Sequence, residues 1–300
     1  MTTLNNYLVK ALYTFHVRTL CSIGYNTRVT LNDSSNNSEL NIKGFQIDLS
    51  LYDNEGIFLE YISNVDILKK NSSLVIDCKK WQGENKKDRL IIFHMIPLNL
   101  KINNNYDNQL NLEKDLVLKL AGTADNYVEY YLENGYSAGL LYQCFPFNYK
   151  KFNKYSSTLI QAPKIFINKE IDTLLSLFYS SPSNKLSESK KLNCSILNPN
   201  GEVVFSWIEN IKPYTTCLIS LKNILKKNLP NFVDEKIYNF TFLGISSDSL
   251  LVPFILIYNK RYKTLAIEHS LPPSYYSKNI KGNLRKKVLS DLINSKLFKK

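Results

Sequence analysis

The stretch "FQIDLSLYDNEGIFLEYISNVDILKKNSSLVIDC", residues 45–78, contains three alternating apolar and polar runs separated by two polar breaks. Alternation with a period of two residues is typical of β-strands that bury one face. In the first break, "YDNEG", Gly56 tolerates a positive φ and Asp53 can bond its own turn backbone. The stretch therefore predicts a β-hairpin followed by a third strand.

The same order of runs occurs again in "KLNCSILNPNGEVVFSWIENIKPYTTCLISLKNI", residues 191–224. An offset of 145 residues pairs Gly56 with Gly201 and Leu51 with Ile196. Two shorter similarities follow in the same order, pairing residues 120–127 with 242–249 and residues 141–149 with 267–275. These ordered matches predict an internal duplication. The alternative is that any two all-β domains share alternating strands and Asn-Gly turns.

The duplication predicts the fold class and the domain limits. We expect an all-β chain of two tandem β-sandwich domains, Ig-like or jelly-roll-like, over residues 1–160 and 161–277. The smaller offset of the last match predicts an extra hairpin or loop in the first copy, within residues 83–116. A short helix can open the chain.

The last 23 residues, 278–300, hold eight Lys or Arg residues against the single Asp291, out of a net charge of +12 for the chain. Apolar residues recur there at helical spacing, which predicts a basic amphipathic C-terminal helix. Such a tail can contact an anionic partner. The candidate contacts are Lys281, Arg285, Lys286 and Lys287. The alternative is that the helix docks on the protein's own sandwich.

Composition bounds the class of protein. The 44% hydrophobic and 21% charged residues are typical of a folded globular chain. No apolar run approaches the roughly 20 residues that span a bilayer, and no signal peptide is evident. The five cysteines lack CxxC spacing and predict reduced thiols, so we expect a cytoplasmic protein.

Catalytic signatures are absent from the sequence. It contains no G-x-G-x-x-G turn, no phosphate-binding loop, no G-x-S-x-G elbow and no H-E-x-x-H motif. The three histidines are too far apart in sequence to suggest a metal site, and we expect no metal and no cofactor. The sequence favours binding over catalysis without deciding between them, and it predicts no catalytic residue. His94 is interpreted as a satisfied, half-buried residue of an apolar strand, and Trp81 and Trp207 are interpreted as residues of the core.

The stretch "AIEHSLPPSYY", residues 266–276, is the candidate ligand site. Strand alternation places Glu268 and His269 on opposite faces, so they do not form an acid/base pair. The functional interpretation is a polar and aromatic lip, with tyrosines for sugar faces and Arg for carboxylate or phosphate. Its candidate residues are His269, Glu268, Tyr275, Tyr276, Arg285 and, in the first copy, Tyr142. The structural interpretation is a strand end whose tyrosines pack on the tail.

The sequence therefore predicts a non-catalytic binding or assembly protein. The expected ligand is a carbohydrate or other anionic polymer, or a protein partner, held at an interdomain groove or at the lip. One alternative is binding of nucleic acid or an acidic membrane surface through the basic tail. A second alternative is a carbohydrate-active enzyme with a site in the groove. The sequence does not predict an oligomeric state.

Overall fold

The computed structural model describes residues 11, 13–33, 42–83, 87–99, 125–143, 145–146, 158–179, 189–246 and 251–269. These residues contain seventeen strands, one α-helix and two short 3-10 helices. The chain divides into two units, the first built from strands β1–β9 and the second from β10–β17 with helix α1. The first unit contains β1 (Tyr13–Arg18), β2 (Asn26–Asn32), β3 (Gly44–Tyr52), β4 (Phe58–Lys69), β5 (Ser73–Asp77), β6 (Leu90–Pro97), β7 (Asp125–Tyr131), β8 (Ser137–Gln143) and β9 (Phe145–Pro146), with 3-10 helices at Cys21–Ile23 and Lys79–Trp81. The second contains β10 (Thr158–Ile167), β11 (Ile171–Tyr179), β12 (Lys190–Leu197), β13 (Val203–Ile211), β14 (Thr216–Ser220), α1 (Leu221–Asn228), β15 (Tyr238–Ser246), β16 (Leu251–Asn259) and β17 (Thr264–His269).

Each unit consists of two antiparallel sheets. The strand orders in the first unit are β4-β3-β6-β1-β9 and β5-β2-β7-β8. The orders in the second unit are β13-β12-β15-β10 and β14-β11-β16-β17. Apart from the added β9, the two units have the same strand order, and β1–β8 correspond to β10–β17. The all-β sandwich class expected from the sequence is therefore confirmed.

The pairing registers of the two units also coincide. Strands β1, β2 and β4 each begin 145 residues before β10, β11 and β13. Leu51 lies opposite Ile91 on β6, and its counterpart Ile196 lies opposite Phe242 on β15. The largest difference in spacing is residues 98–124 between β6 and β7, against residues 247–250 between β15 and β16. This longer connection overlaps part of the insertion predicted at 83–116.

The two predicted hairpins have the same turn chemistry. Asp53 Oδ1 accepts the N–H groups of Glu55 and Ile57 at 2.9 and 2.8 Å. The corresponding Asn198 Oδ1 accepts the N–H groups of Asn200 and Glu202 at 3.0 and 2.9 Å. Gly56 and Gly201 have φ values of 84° and 81°, a left-handed conformation that costs an L side chain energy.

We expect Gly201→Ala to lower the free energy of unfolding by about 1–2 kcal/mol, because alanine disfavours this left-handed φ. A Cβ at Gly201 meets no atom within 4 Å, so the loss would report backbone strain alone. Urea unfolding of the full chain measures it. Gly135→Ala is the matched control, since Gly135 has no left-handed φ and its Cβ would make only ordinary contacts with Leu132. Equal losses in both variants would contradict the strain argument.

The five-stranded sheet is buried on both faces at its centre. Every residue of β1 is buried, and β3 and β6 are almost entirely so. On the three central strands one face is apolar, with Phe15, Leu49 and Phe93 in a row across them. The other face carries polar side chains among apolar ones. We assign the apolar face to the sandwich core because burying it needs no hydrogen-bond partners.

The edge strand β4 is interrupted by a bulge. Residues 63–65 stand opposite the single Asp48 on β3, and Asn64 has a φ of 53°. Asp48 Oδ1 accepts the Asn64 N–H at 2.8 Å, which holds the bulge in place. A bulge breaks the regular row of backbone donors and acceptors that an exposed edge presents.

Helix α1 corrects the sequence interpretation of residues 191–224, which had only strands. The third strand ends at Ser220, whose side chain accepts the N–H of Asn223 at 3.0 Å and caps the helix. Leu221 and Leu225 are buried, and so is Lys222, whose Nζ donates to the carbonyls of Asn168 and Lys169. The helices predicted at the two chain ends lie outside the described residues.

None of the helices in the described ranges has the length and apolar character needed to cross a membrane.

Candidate functional site

Two residues of the predicted lip lie on strand β17. Glu268 is opposite Ile255 and His269 is opposite Phe254 on the neighbouring β16. Consecutive positions on a strand face opposite ways, so the backbone places these two residues on opposite faces of the sheet. Glu268 is exposed. The lip itself stays a prediction.

Of the other candidate residues, only Tyr142 lies within the described residues. Tyr142 lies on β8 opposite Asn126, which by the common register corresponds to His269 and not to Glu268 as the sequence alignment had it. The sequence match used a single offset of 126 residues for 141–149 and 267–275, whereas the strand pairing places β8 and β17 127 residues apart. The remaining candidates lie outside the described residues: Tyr275, Tyr276, Lys281, Arg285, Lys286 and Lys287.

A buried histidine cluster, consisting of His16, Asp48, Ser50, Tyr61 and His94, lies on the polar face of the five-stranded sheet. His94 Nε2 and Ser50 Oγ are 2.7 Å apart, and both residues are fully buried. Burial lowers the pKa of His94 to about 4, against the opposing charge of Asp48. Burial and the neighbouring His94 lower the pKa of His16 to about 3. Both rings are therefore neutral at pH 7, and His94 is fully buried where the sequence predicted a half-buried residue.

The Ser50–His94 pair lacks the geometry of a nucleophilic triad. In such a triad a carboxylate bonds the second imidazole nitrogen and orients the ring. Here His94 Nδ1 has no hydrogen-bond partner in the described parts of the chain. Asp48 instead accepts from Tyr61 and, at 2.8 Å, from Gln46 Nε2. With Ser50 fully buried as well, this cluster is structural and offers no access to a substrate.

A different surface has the features of a binding site. We call it the open face: the solvent side of sheet β5-β2-β7-β8 in the first unit. Strand β2 alternates, with Thr27, Val29 and Leu31 buried and the residues between them partly exposed. The register places two rows across the four strands. The apolar row is Val75, Thr30, Tyr127 and Leu141, and the charged row is Asp77, Arg28, Glu129 and Gly139.

Tyr127 lies directly on the backbone of the open face. A Cβ at Gly139 would overlap the phenol end of the Tyr127 ring, so the ring occupies the space of the missing side chain. Tyr127 is only half-buried, and its ring is supported by the sheet without being enclosed. Partial burial and the neighbouring Glu129 carboxylate raise the pKa of Tyr127, so its hydroxyl remains a donor at neutral pH.

The charged row is paired within itself. Arg28 Nη1 is 3.3 Å from Glu129 Oε2, and its guanidinium carbon lies 4.5 Å from the centre of the Tyr131 ring. Tyr131 in turn donates to Asp77 Oδ2 at 2.5 Å. At the end of the sheet Lys79 pairs with Glu133. The face therefore presents aromatic rings and neutralised charges.

The corresponding sheet of the second unit lacks these features. Ile255 and Ala266 stand at the positions of Tyr127 and Gly139, and Ile255 is buried. On β11, Thr173 and Leu175 replace Arg28 and Thr30, and both are fully buried. The open face is thus particular to the first unit. Sequence reasoning missed it, although the alternation of "NTRVTLN" and a glycine inside the strand "SAGLLYQ" were signals for it.

In the described residues, no group of three or more His, Cys, Asp or Glu side chains is arranged to hold a metal ion.

No protein-family model and no curated protein matches the chain. Solved structures resemble it weakly. A Bacteroides uniformis β-glucuronidase is 11% identical with a TM-score of 0.15, over 88% of this chain and 27% of that one. A glycosyl hydrolase family 2 member from Bacteroides cellulosilyticus is 8% identical with a TM-score of 0.16, over 86% and 27%. An infectious bursal disease virus structure is 9% identical with a TM-score of 0.17, over 81% and 54%. At TM-scores this low the similarities carry no argument about function.

Proposed function

We propose that this chain is a non-catalytic carbohydrate-binding protein and that the open face of the first unit holds the sugar. The observation that carries the proposal is the Tyr127 ring, which lies on the sheet over Gly139 and is not enclosed by other side chains. The face of an aromatic ring has a negative electrostatic potential and attracts the polarised C–H groups of a pyranose. Thr30 and the Tyr127 hydroxyl supply neutral hydrogen-bonding groups beside it.

Gly139 provides the space in which the Tyr127 ring lies and so supports the same site. Glycine inside a strand weakens the strand and usually reflects a close approach of some other group. Here that group is the ring, and any larger residue would displace it. The sequence thus accepts a weaker strand at the one position that lets an aromatic side chain lie against the sheet.

Binding of the full chain to a glycan array, before and after substitution, tests the proposal. We expect Tyr127→Ala to weaken glycan binding by about fivefold to a hundredfold, taking the roughly 1–3 kcal/mol of a base stacked on an aromatic side chain as the guide. Gly139→Ala should produce a similar loss, because its Cβ displaces the same ring while leaving the tyrosine in the chain.

Tyr262→Ala is the matched control for these variants. Tyr262 is a tyrosine that is 61% exposed, but it lies in the turn before β17 and not on the open face. Its loss should leave glycan binding unchanged. Glycan binding that is insensitive to both Tyr127→Ala and Gly139→Ala would overturn the proposed site. A folded chain that binds no glycan would overturn the carbohydrate proposal and favour a protein partner for the same face.

We also propose that the two units arose by duplication of one sandwich. The support is the shared strand order, the repeated 145-residue spacing and the matching Asx turns before Gly56 and Gly201. The two units have since diverged, because only the first keeps an open tyrosine face. The domain limits at 1–160 and 161–277 stay a prediction.

A further inference from the structure

Among the described residues, the open face carries no surplus of positive charge. The two cations of this face, Arg28 and Lys79, are both paired with carboxylates, and Asp77 adds a third negative group beside Glu129 and Glu133. An acidic ligand approaching the charged row would therefore meet more carboxylates than cations. It would have to displace Glu129 from Arg28 before it could use the guanidinium.

The apolar row offers the complementary surface. Val75 and Leu141 are 59% and 55% exposed, and they flank Thr30 and the Tyr127 ring across all four strands. Four neighbouring strands span about 14 Å, which is longer than one pyranose ring. A ligand that packs along this row meets apolar surface and neutral hydroxyl groups. It runs beside the charged row without needing charge of its own.

We infer that the open face selects a neutral oligosaccharide, lying across the strands along the apolar row, over an acidic one. This inference rests on the proposed carbohydrate-binding function and narrows its ligand class. It also departs from the anionic polymer that was one of the ligands expected from the sequence, because the positive charge of the chain is concentrated in residues 278–300 and not on this face.

The test compares β-linked gluco-oligosaccharides with oligoglucuronates of equal length, each titrated into the full chain at low and moderate salt. The neutral series should bind about fivefold more tightly than the acidic one, because each glucuronate carboxylate would approach the carboxylates of the charged row. Its affinity should not change with salt, because no charge pair forms on binding. The double variant Asp77→Asn/Glu129→Gln should remove most of the discrimination.

The Tyr127→Ala variant separates failure of this inference from failure of the proposed function. Tighter binding of oligoglucuronates that Tyr127→Ala abolishes would overturn the neutral-ligand inference and leave the carbohydrate site standing. Binding of neither series in a Tyr127-dependent manner would overturn both. Acidic binding that persists in Tyr127→Ala belongs to another surface of the chain, and it does not count as occupancy of the open face.

Discussion

Asp88→Asn is expected to lower the free energy of unfolding of the first unit by about 3–5 kcal/mol, because it leaves a buried arginine without its counter-charge. The Arg18 and Asp88 side chains are only 4% and 3% exposed, and Arg18 Nη2 lies 2.6 Å from Asp88 Oδ2. The carboxylate also accepts the Ser22 N–H at 2.9 Å and the Ser22 hydroxyl at 2.7 Å. An amide cannot replace the negative charge, and its NH₂ group would face donors.

Urea unfolding monitored by circular dichroism measures this loss. Glu133→Gln is the control, since the Lys79–Glu133 pair lies in water with both side chains 60% exposed and should contribute far less. A double variant, Arg18→Met/Asp88→Leu, tests the cause. If the loss in Asp88→Asn comes from an uncompensated charge, the double variant should be more stable than the single one. A single variant as stable as the wild type would contradict the burial of this pair.

Acidification is expected to destabilise the first unit through His16 and His94. Unfolded histidines take up protons near pH 6.5, whereas the folded pKa values of these two are about 3 and about 4. Between these limits the unfolded state binds more protons, so the free energy of unfolding falls as the pH falls from about 6.5 towards about 4. The loss by pH 4.5 is on the order of 2–3 kcal/mol for each histidine.

His94→Gln tests this pH dependence, because glutamine can still bond Ser50 but does not titrate in this range. Urea unfolding at a series of pH values should show a slope reduced by about one proton in His94→Gln, and again in His16→Gln. In the double variant the slope should be reduced by about two protons. An unchanged slope in all three variants would assign the acid sensitivity to carboxylates elsewhere in the chain.

The sequence predicted the sandwiches because their strands obey simple local rules. Alternation in residues 45–78 and turn chemistry at Gly56 and Gly201 depend on neighbouring residues only, and the structure has those hairpins where they were expected. Helix α1 was missed because it is a single short element capped by Ser220. Its stability depends on burial of Leu221 and Leu225, which the sequence alone does not show. Periodicity over eight residues cannot distinguish such a helix from a strand end.

The candidate site could not be found in the same way, because it depends on pairing between distant strands. Arg28 meets Glu129 across a separation of 101 residues, and Tyr127 meets Gly139 only once β7 and β8 are in register. The sequence instead singled out the strand end at residues 266–276, where polar and aromatic residues are neighbours along the chain. Two aligned rows on a sheet face become visible only when the strand order is known.

The matching registers of the two units have a consequence for how the chain assembles. Strands β6 and β15 fit the same place in the same ladder, so either could in principle pair with the partners of the other during folding. The interior polarity separates them. With β15 in the first unit, Ile245 would stand where His94 bonds Ser50, and the orphaned hydroxyl would cost about 1–3 kcal/mol. The buried His94 therefore favours β6 over β15 as the partner of β1 and β3 in the first unit.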